Sequence, residues 1–322
     1  NAAASVQTLS STWVQRMPET LIVGIVNTER DRDFRPPMVP TAPDSETFAA
    51  DKFLEFIVDE LIPWTQAHYR TAAYRVLAGH SDGGLFTSYA LVNRPKAFQS
   101  YIALSPALQE AKGSTLADLQ LALTRVDAPL QLFLSWSGTD IAIRASTQNL
   151  VTALTKRPPC NVRWTHREYL DDTHASTFHR GLYDALEWAF AGWPMPVPKD
   201  TTAFEPTIAE IDAHYAALSK KFGFQVIAPP NALHRAAQAL MKRKQTEAAL
   251  DVWRRTARDY PYLTDGYSSL GRALEQLGRT NEARQAYEQA LRVSAESQSA
   301  FNDTRSLQQR VKALRSQPES QR

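Results

Sequence analysis

Tyr74-Arg-Val-Leu-Ala-Gly79-His80-Ser81-Asp82-Gly83-Gly84-Leu-Phe86 joins an apolar strand pattern, a glycine-flanked serine and the start of a helical pattern. This is Gly-x-Ser-x-Gly in the setting that gives the motif its chemistry. A serine forced into a tight strand-to-helix turn stands clear of the sheet, where its hydroxyl can attack a carbonyl. Gly79 and Gly83, two positions to either side, leave room for the new helix to pass close to the strand and relax a strained backbone. The pattern points to a serine hydrolase. The competing reading of the same letters is a glycine-rich turn carrying an idle serine.

Outward from this turn, from Leu21 to about Leu170, short β-branched or aromatic runs alternate with helical segments. That alternation is the mark of a parallel sheet with crossover helices. Strands are expected over Leu21 to Val26, Tyr74 to Ala78, Ser100 to Leu104, Leu130 to Trp136 and Val162 to Tyr169. Phe53, Phe56, Ile57 and Leu61 recur at helical spacing and predict a buried stripe. Further helices are expected over Gly84 to Val92, Thr115 to Leu123, Ala145 to Leu154 and Phe178 to Phe190.

Gly192-Trp-Pro194-Met-Pro196-Val-Pro198 places three prolines at alternate positions, which cannot continue a helix and form a stiff connector. The expected organisation is an α/β domain over 1–192, a Pro-rich linker over 193–206, an all-α domain over 207–316 and a disordered tail over 317–322. Ile208, Ile211, Tyr215 and Leu218 mark an amphipathic helix. After it comes a repeat of 34 residues, as from Leu233 to Tyr267, the length of a tetratricopeptide unit. Its second copy has Tyr267, Leu270, Gly271, Leu274, Gly278, Ala283, Tyr287 and Ala290 at the prescribed positions. The first has Leu233, Ala236, Ala237, Leu240, Ala249 and Trp253, closed by Pro261. Two copies are few for a solenoid, so the helix near Ile208 and one over Asn302 to Leu314 are expected as caps.

Composition narrows the classes. The chain has 322 residues, 43% hydrophobic and 22% charged, enough for a large core and a small second domain. Its net charge of +2 comes from interspersed residues, so no nucleic-acid footprint stands out, and Arg310, Lys312 and Arg315 are expected on a solvated helical face. Cys160 is alone, which excludes an intramolecular disulfide. No apolar run reaches the ~20 residues a membrane span requires. The first residues carry neither a leader pattern nor an initiator Met. Localisation is therefore open: periplasmic or secreted if a missing N-terminus carried an export signal, otherwise cytoplasmic.

A serine needs a base, and the base needs an orienting group. In α/β-hydrolases the chain order is Ser, Asp or Glu, then His. His174, in a loop between the last strand and the closing helix, is the expected base and His179 the second choice. His166 is expected to be packed or at the surface in mid-strand, His68 to precede a turn, and His80 to point elsewhere than the nucleophile. Asp140 follows a strand directly and is the expected acid, with Asp171 or Asp172 as alternatives; a helix N-cap is the plain reading of Asp140. Ser105 and Ser135 end other strands and are expected to line the pocket or to satisfy backbone groups. No metal spacing and no phosphate-cradling loop is present, so no cofactor is expected.

Gly24-Ile-Val-Asn27-Thr28-Glu-Arg30-Asp-Arg32-Asp33, Glu60-Leu-Ile-Pro63, the Ser81 stretch, Ala103-Leu-Ser105-Pro106 and Asp172-Thr-His174-Ala-Ser176 together resemble the esterase D-like family of α/β-hydrolases. That group includes the enterochelin-type siderophore esterases. The resemblance covers about residues 1–192, and members with a C-terminal tetratricopeptide segment are similar over the remainder. It implies carboxylic-ester hydrolysis of a small-molecule ester, with Ser81 as nucleophile and His174 as base. Asp140 is placed by position, because the family varies there and some relatives use a Ser-His pair. The N–H of Asp82 is the implied oxyanion donor, although its carboxylate departs from the bulky apolar residue usual there. The family's first strands, and the Asp-Gly turn that supplies a second oxyanion donor, have no counterpart here. The expected fold is thus an α/β-hydrolase-type, mostly parallel sheet lacking its N-terminal strands, with a tetratricopeptide-like helical domain. A missing donor would cost on the order of 3 kcal/mol of transition-state stabilisation. That deficit motivates an alternative: an impaired hydrolase fold serving as an interaction protein, with a protein partner on the helical domain. Acyl transfer to an alcohol or sugar would use the same residues.

Overall fold

The computed structural model describes residues 2–11, 14–26, 29–36, 48–110, 115–196, 205–296 and 304–316. The chain divides into two units, Asn1–Pro194 and Met195–Arg322. The division falls inside the proline-rich stretch. The expected tail over 317–322 lies outside the described residues.

In the first unit four parallel strands lie side by side in chain order: β1 (Val76–His80), β2 (Ser100–Leu104), β3 (Leu130–Ser137) and β4 (Val162–Tyr169). The helices are α1 (Ala2–Ser10), α2 (Arg30–Phe34), α3 (Ala50–Glu55), α4 (Ile62–His68), α5 (Asp82–Asn93), α6 (Thr115–Thr124), α7 (Ile141–Lys156) and α8 (Thr177–Ala189). Every residue of β2 is buried, the pattern of a strand covered on both faces. Its alternate side chains serve two layers. Tyr101 and Ala103 join Leu132 and Leu134 in one core with Leu54, Leu85, Leu119 and Leu150 from the helices before and between the strands. Leu104 faces α8, whose Gly181 lets the helix settle against Leu104 and Ser135.

Three expectations change. Leu21 to Val26 forms no strand: it joins no ladder, and Leu21, Ile22, Val23, Ile25 and Val26 are 37–92% exposed. A β-branched run becomes a strand only by pairing, and β1, the edge of the sheet, has no partner on its outer side among the described residues. The first strand also starts later than expected, at Val76 instead of Tyr74, and runs on to His80. The stripe of Phe53, Ile57 and Leu61 is not one regular helix, since a π-helical turn over Phe56–Leu61 separates α3 from α4. One extra residue per turn rotates the stripe, which leaves Phe56 38% exposed.

Among the described residues the second unit is all-helical: α9 (Ile208–Phe222), α10 (Pro230–Lys242), α11 (Thr246–Asp259), α12 (Thr264–Gln276), α13 (Thr280–Glu296) and α14 (Thr304–Arg315). α9 opens on a capping box between Thr207 and Glu210 and closes on Gly223 at φ 72°. Successive helices pack as neighbours, α10 on α11 and α12 on α13, with α9 on α10 and α14 on α13 at the two ends. A Cβ on Gly271 would lie 2.8 Å from the Tyr287 ring, so the small residue and the aromatic one form a single contact between α12 and α13. Arg310, Lys312 and Arg315 are exposed, with Arg310 paired to Glu275 and Arg315 to Glu288.

Candidate active site

The carboxyl ends of parallel strands are where the chain turns back, and in open α/β sheets they border the ligand crevice. Ser81 follows β1 and starts α5 with φ 61° and ψ −120°, a backbone region that non-glycine residues rarely enter. Three bonds hold it there. Its N–H donates to Leu104 O at 3.0 Å, and its carbonyl accepts from Leu85 N at 3.0 Å and Ala107 N at 3.1 Å. The strain is therefore locked from β2 and from the turn after it. The flanking glycines are not equivalent. A Cβ on Gly79 would overlap the carbonyl of Gly83, whereas Gly83 faces open space, and Gly84 carries the second close approach, 2.9 Å from Pro106 Cα.

The second turn, after β2, places Ser105 at φ 40° with its N–H on Ser135 O at 2.8 Å. Ser105 and Ser135 are fully buried, and neither hydroxyl bonds a backbone group, so they line the interior beneath the site.

The third turn carries the carboxylate. Asp140 stands at the N-cap position of α7, yet its side chain caps nothing. Oδ2 accepts from Ser137 N at 2.8 Å, and Oδ1 lies 2.6 Å from His174 Nδ1. Burial alone would raise its pKa, but the Ser105 hydroxyl nearby, the Ser137 backbone and hydroxyl and His174 together hold it below the usual carboxylate value. His174 sits in the loop between β4 and α8. Its N–H donates to Thr139 Oγ1 at 3.0 Å, so backbone and ring are both fixed by the Asp140 turn. Gly138 permits that meeting: a Cβ there would overlap the carbonyl of Leu170, and its N–H donates to Tyr169 O and Asp172 O at 3.0 and 3.2 Å.

The remaining candidates separate cleanly. Asp172 accepts from Ser176 Oγ at 2.9 Å and pairs with Arg180 at 3.5 Å, so it braces the start of α8. His166 stacks on Trp136 with ring centroids 5.3 Å apart, and His68 stacks on Trp64 at 4.2 Å. His179 lies on α8 with its ring edge to Phe178. His80, expected to point elsewhere than Ser81, turns to His174: its Nε2 is 2.8 Å from His174 O and the two rings lie 4.5 Å apart. Burial, with the His174 charge, pushes the His80 imidazole below its ordinary pKa. Ser81 Oγ has no hydrogen-bond partner among the described residues, and the bonds of His174 run to Asp140, Thr139 and His80. A serine hydroxyl without a bond to its candidate base matches the loose bonding usual before substrate binds.

Asp82 begins α5, and its N–H is a first-turn donor without an intrahelical acceptor. Its carboxylate is not left bare beside Ser81: Arg30 Nε approaches one oxygen at 3.3 Å and Arg35 Nε the other at 3.8 Å. Gly138, Thr139, Arg30, Arg35 and the contact of His80 with His174 were not legible in advance. The one local signal was the Ser137-Gly138-Thr139-Asp140 run itself. Among the described residues no group of three or more His, Cys, Asp or Glu comes together as a metal site, and no helix is long and apolar enough to cross a membrane.

A family model described as "Putative esterase" matches residues 4–176, more than half of the chain. The chain belongs to the esterase family. Beyond the esterase match, tetratricopeptide models match residues 231–261 and 264–296. The chain is similar to ferri-bacillibactin esterase BesA of Bacillus subtilis, 38% identical over 88 residues that cover 24% of this chain and 30% of that protein. It is also similar to a siderophore triacetylfusarinine C esterase of Aspergillus fumigatus, 44% identical over 61 residues, 18% of this chain and 21% of that one. The matches thus span less than a third of these relatives' own length. Among solved structures, an IroE-like serine hydrolase from Shewanella oneidensis superposes with a TM-score of 0.66 at 26% identity, covering 80% of this chain and 85% of that one. An uncharacterised protein from Capnocytophaga ochracea covers 98% of this chain and 87% of its own with a TM-score of 0.57; at 16% identity the likeness is one of fold.

Proposed function

We propose that this esterase-family chain is a serine carboxylic-ester hydrolase working through Ser81, His174 and Asp140. The observation that carries the reading is the 2.6 Å contact of His174 Nδ1 with a buried Asp140, at the sheet edge where Ser81 is held at φ 61°. An ionised Asp140 fixes the proton of His174 on Nδ1 and leaves Nε2 as the acceptor. His174 Nε2 takes the Ser81 proton as Oγ attacks the ester carbonyl, and the Asp82 N–H donates to the oxyanion. The C–O bond to the alcohol breaks as His174 returns the proton to the leaving oxygen. Water, deprotonated by His174, then releases the acid and restores Ser81.

The names of the relatives point to the first substrates to try, the ester linkages of siderophores. Ser81→Ala in the full chain is expected to abolish turnover of p-nitrophenyl acetate and labelling by a fluorophosphonate. Undiminished turnover rejects the assignment. A second role, docking of a protein partner on the second unit, is supported by its two tetratricopeptide matches. Failure of a folded chain to take the fluorophosphonate would leave docking as the main activity, and product analysis with a competing alcohol separates hydrolysis from acyl transfer.

A further inference from the structure

His80 precedes the nucleophile and would ordinarily be counted as sheet filling. Its surroundings say otherwise. A backbone carbonyl only accepts, so the 2.8 Å contact between His80 Nε2 and His174 O requires a proton on Nε2. The His80 ring lies 4.5 Å from the His174 ring and takes the edge of Phe178 at 5.8 Å on another side. The charged and titratable groups facing it are His174 from the β4–α8 loop, Asp140 from the β3–α7 turn and Arg30 from α2. His174 is otherwise held from one side alone, through Asp140 and Thr139. Its side chain is 38% exposed, so a ring pinned on one side could swing toward solvent.

We propose that His80 is a positioning residue for the general base: it donates Nε2–H to the His174 carbonyl and backs the His174 ring, keeping that ring against Asp140. Its neutrality matters as much as its place. An imidazolium forms on His174 in each half of the cycle, and a second cation 4.5 Å away would oppose it. Burial first, then the His174 ring and Arg30, push the His80 imidazole below its ordinary pKa, against the bond to the His174 carbonyl and the Asp140 carboxylate, which raise it. The inference rests on the hydrolase reading for its kinetic consequence, while the hold on the His174 ring can be read without turnover.

Two substitutions separate the parts. His80→Phe keeps a ring and removes the donor; His80→Gln removes the ring and keeps an amide donor of similar reach. Each is made in the full chain, with circular dichroism and melting as checks of folding. For p-nitrophenyl acetate, His80→Phe is expected to lower kcat about tenfold with KM within about twofold, and His80→Gln to recover at least half of kcat. The far-downfield proton resonance of the His174–Asp140 hydrogen bond should weaken in His80→Phe and return in His80→Gln. The proposal is overturned if folded His80→Phe keeps both kcat and the resonance, or if His80→Gln, folded, is as impaired as His80→Phe. Should His80→Phe not fold, His80→Gln decides: a folded protein without the resonance overturns the proposal, one retaining it supports the donor role. Turnover surviving in Ser81→Ala would sink the hydrolase reading instead, with the resonance still reporting the hold on His174.

Discussion

Replacing Asp140 by Asn tests the site most severely, because the two oxygens of Asp140 have two different clients. Oδ2 takes the Ser137 N–H at 2.8 Å and Oδ1 faces His174 Nδ1 at 2.6 Å. An asparagine has one oxygen. If it serves Ser137, its amide NH2 faces His174 and puts the imidazole proton on Nε2, where it blocks proton transfer from Ser81. If it serves His174, its NH2 meets the Ser137 N–H donor against donor. The lost charge adds to this. With carboxylate and imidazolium centred about 4 Å apart and an effective dielectric of about 20, their attraction is about 4 kcal/mol. That corresponds to about 10³ in rate. Asp140→Asn should therefore lower kcat for p-nitrophenyl acetate by about 10³-fold or more, with native circular dichroism. The assay is initial-rate kinetics at pH 8 beside Ser81→Ala as the zero. A folded Asp140→Asn protein retaining more than a tenth of wild-type kcat would refute the argument that this carboxylate orients and charges the base.

Other consequences follow from packing and ionisation. Gly79→Ala should collapse the Ser81 turn and yield little folded protein, whereas Gly83→Ala, facing open space, should melt at or above wild type by scanning calorimetry. Gly271→Ala drives a Cβ into the Tyr287 ring and should lower stability by about 1–3 kcal/mol in urea unfolding, without touching fluorophosphonate labelling of Ser81. The depressed Asp140 carboxyl contributes stability that is present above its unfolded pKa, about 3.9, and is lost as pH falls through its lower folded value. Urea midpoints measured from pH 6 down to pH 3 should therefore fall less steeply in Asp140→Asn than in wild type.

Residues that act through their neighbours in sequence were legible, and those that act through partners distant in the chain were not. The Gly79 to Gly84 run announced the turn at Ser81, because strand, serine and helix are contiguous. The 34-residue repeat announced the paired helices, because the Gly271-to-Tyr287 contact joins adjacent helices. The order Ser81, Asp140, His174 was visible too, but not the contact between the last two, nor the reason that Asp140 forgoes its cap. Leu21 to Val26 failed as a strand because apolar alternation specifies a face, while a ladder needs a partner. The partner of His80 was hidden for the opposite reason: its place beside Ser81 gave no sign of a bond to a carbonyl 94 positions away. Sequence by itself determined the local grammar: the strained serine turn, the parallel alternation and the helical repeat, each encoded in a few contiguous residues. Only the tertiary structure decided which histidine meets which carboxylate and which glycine is sterically required, since those depend on where distant turns converge at one end of the sheet.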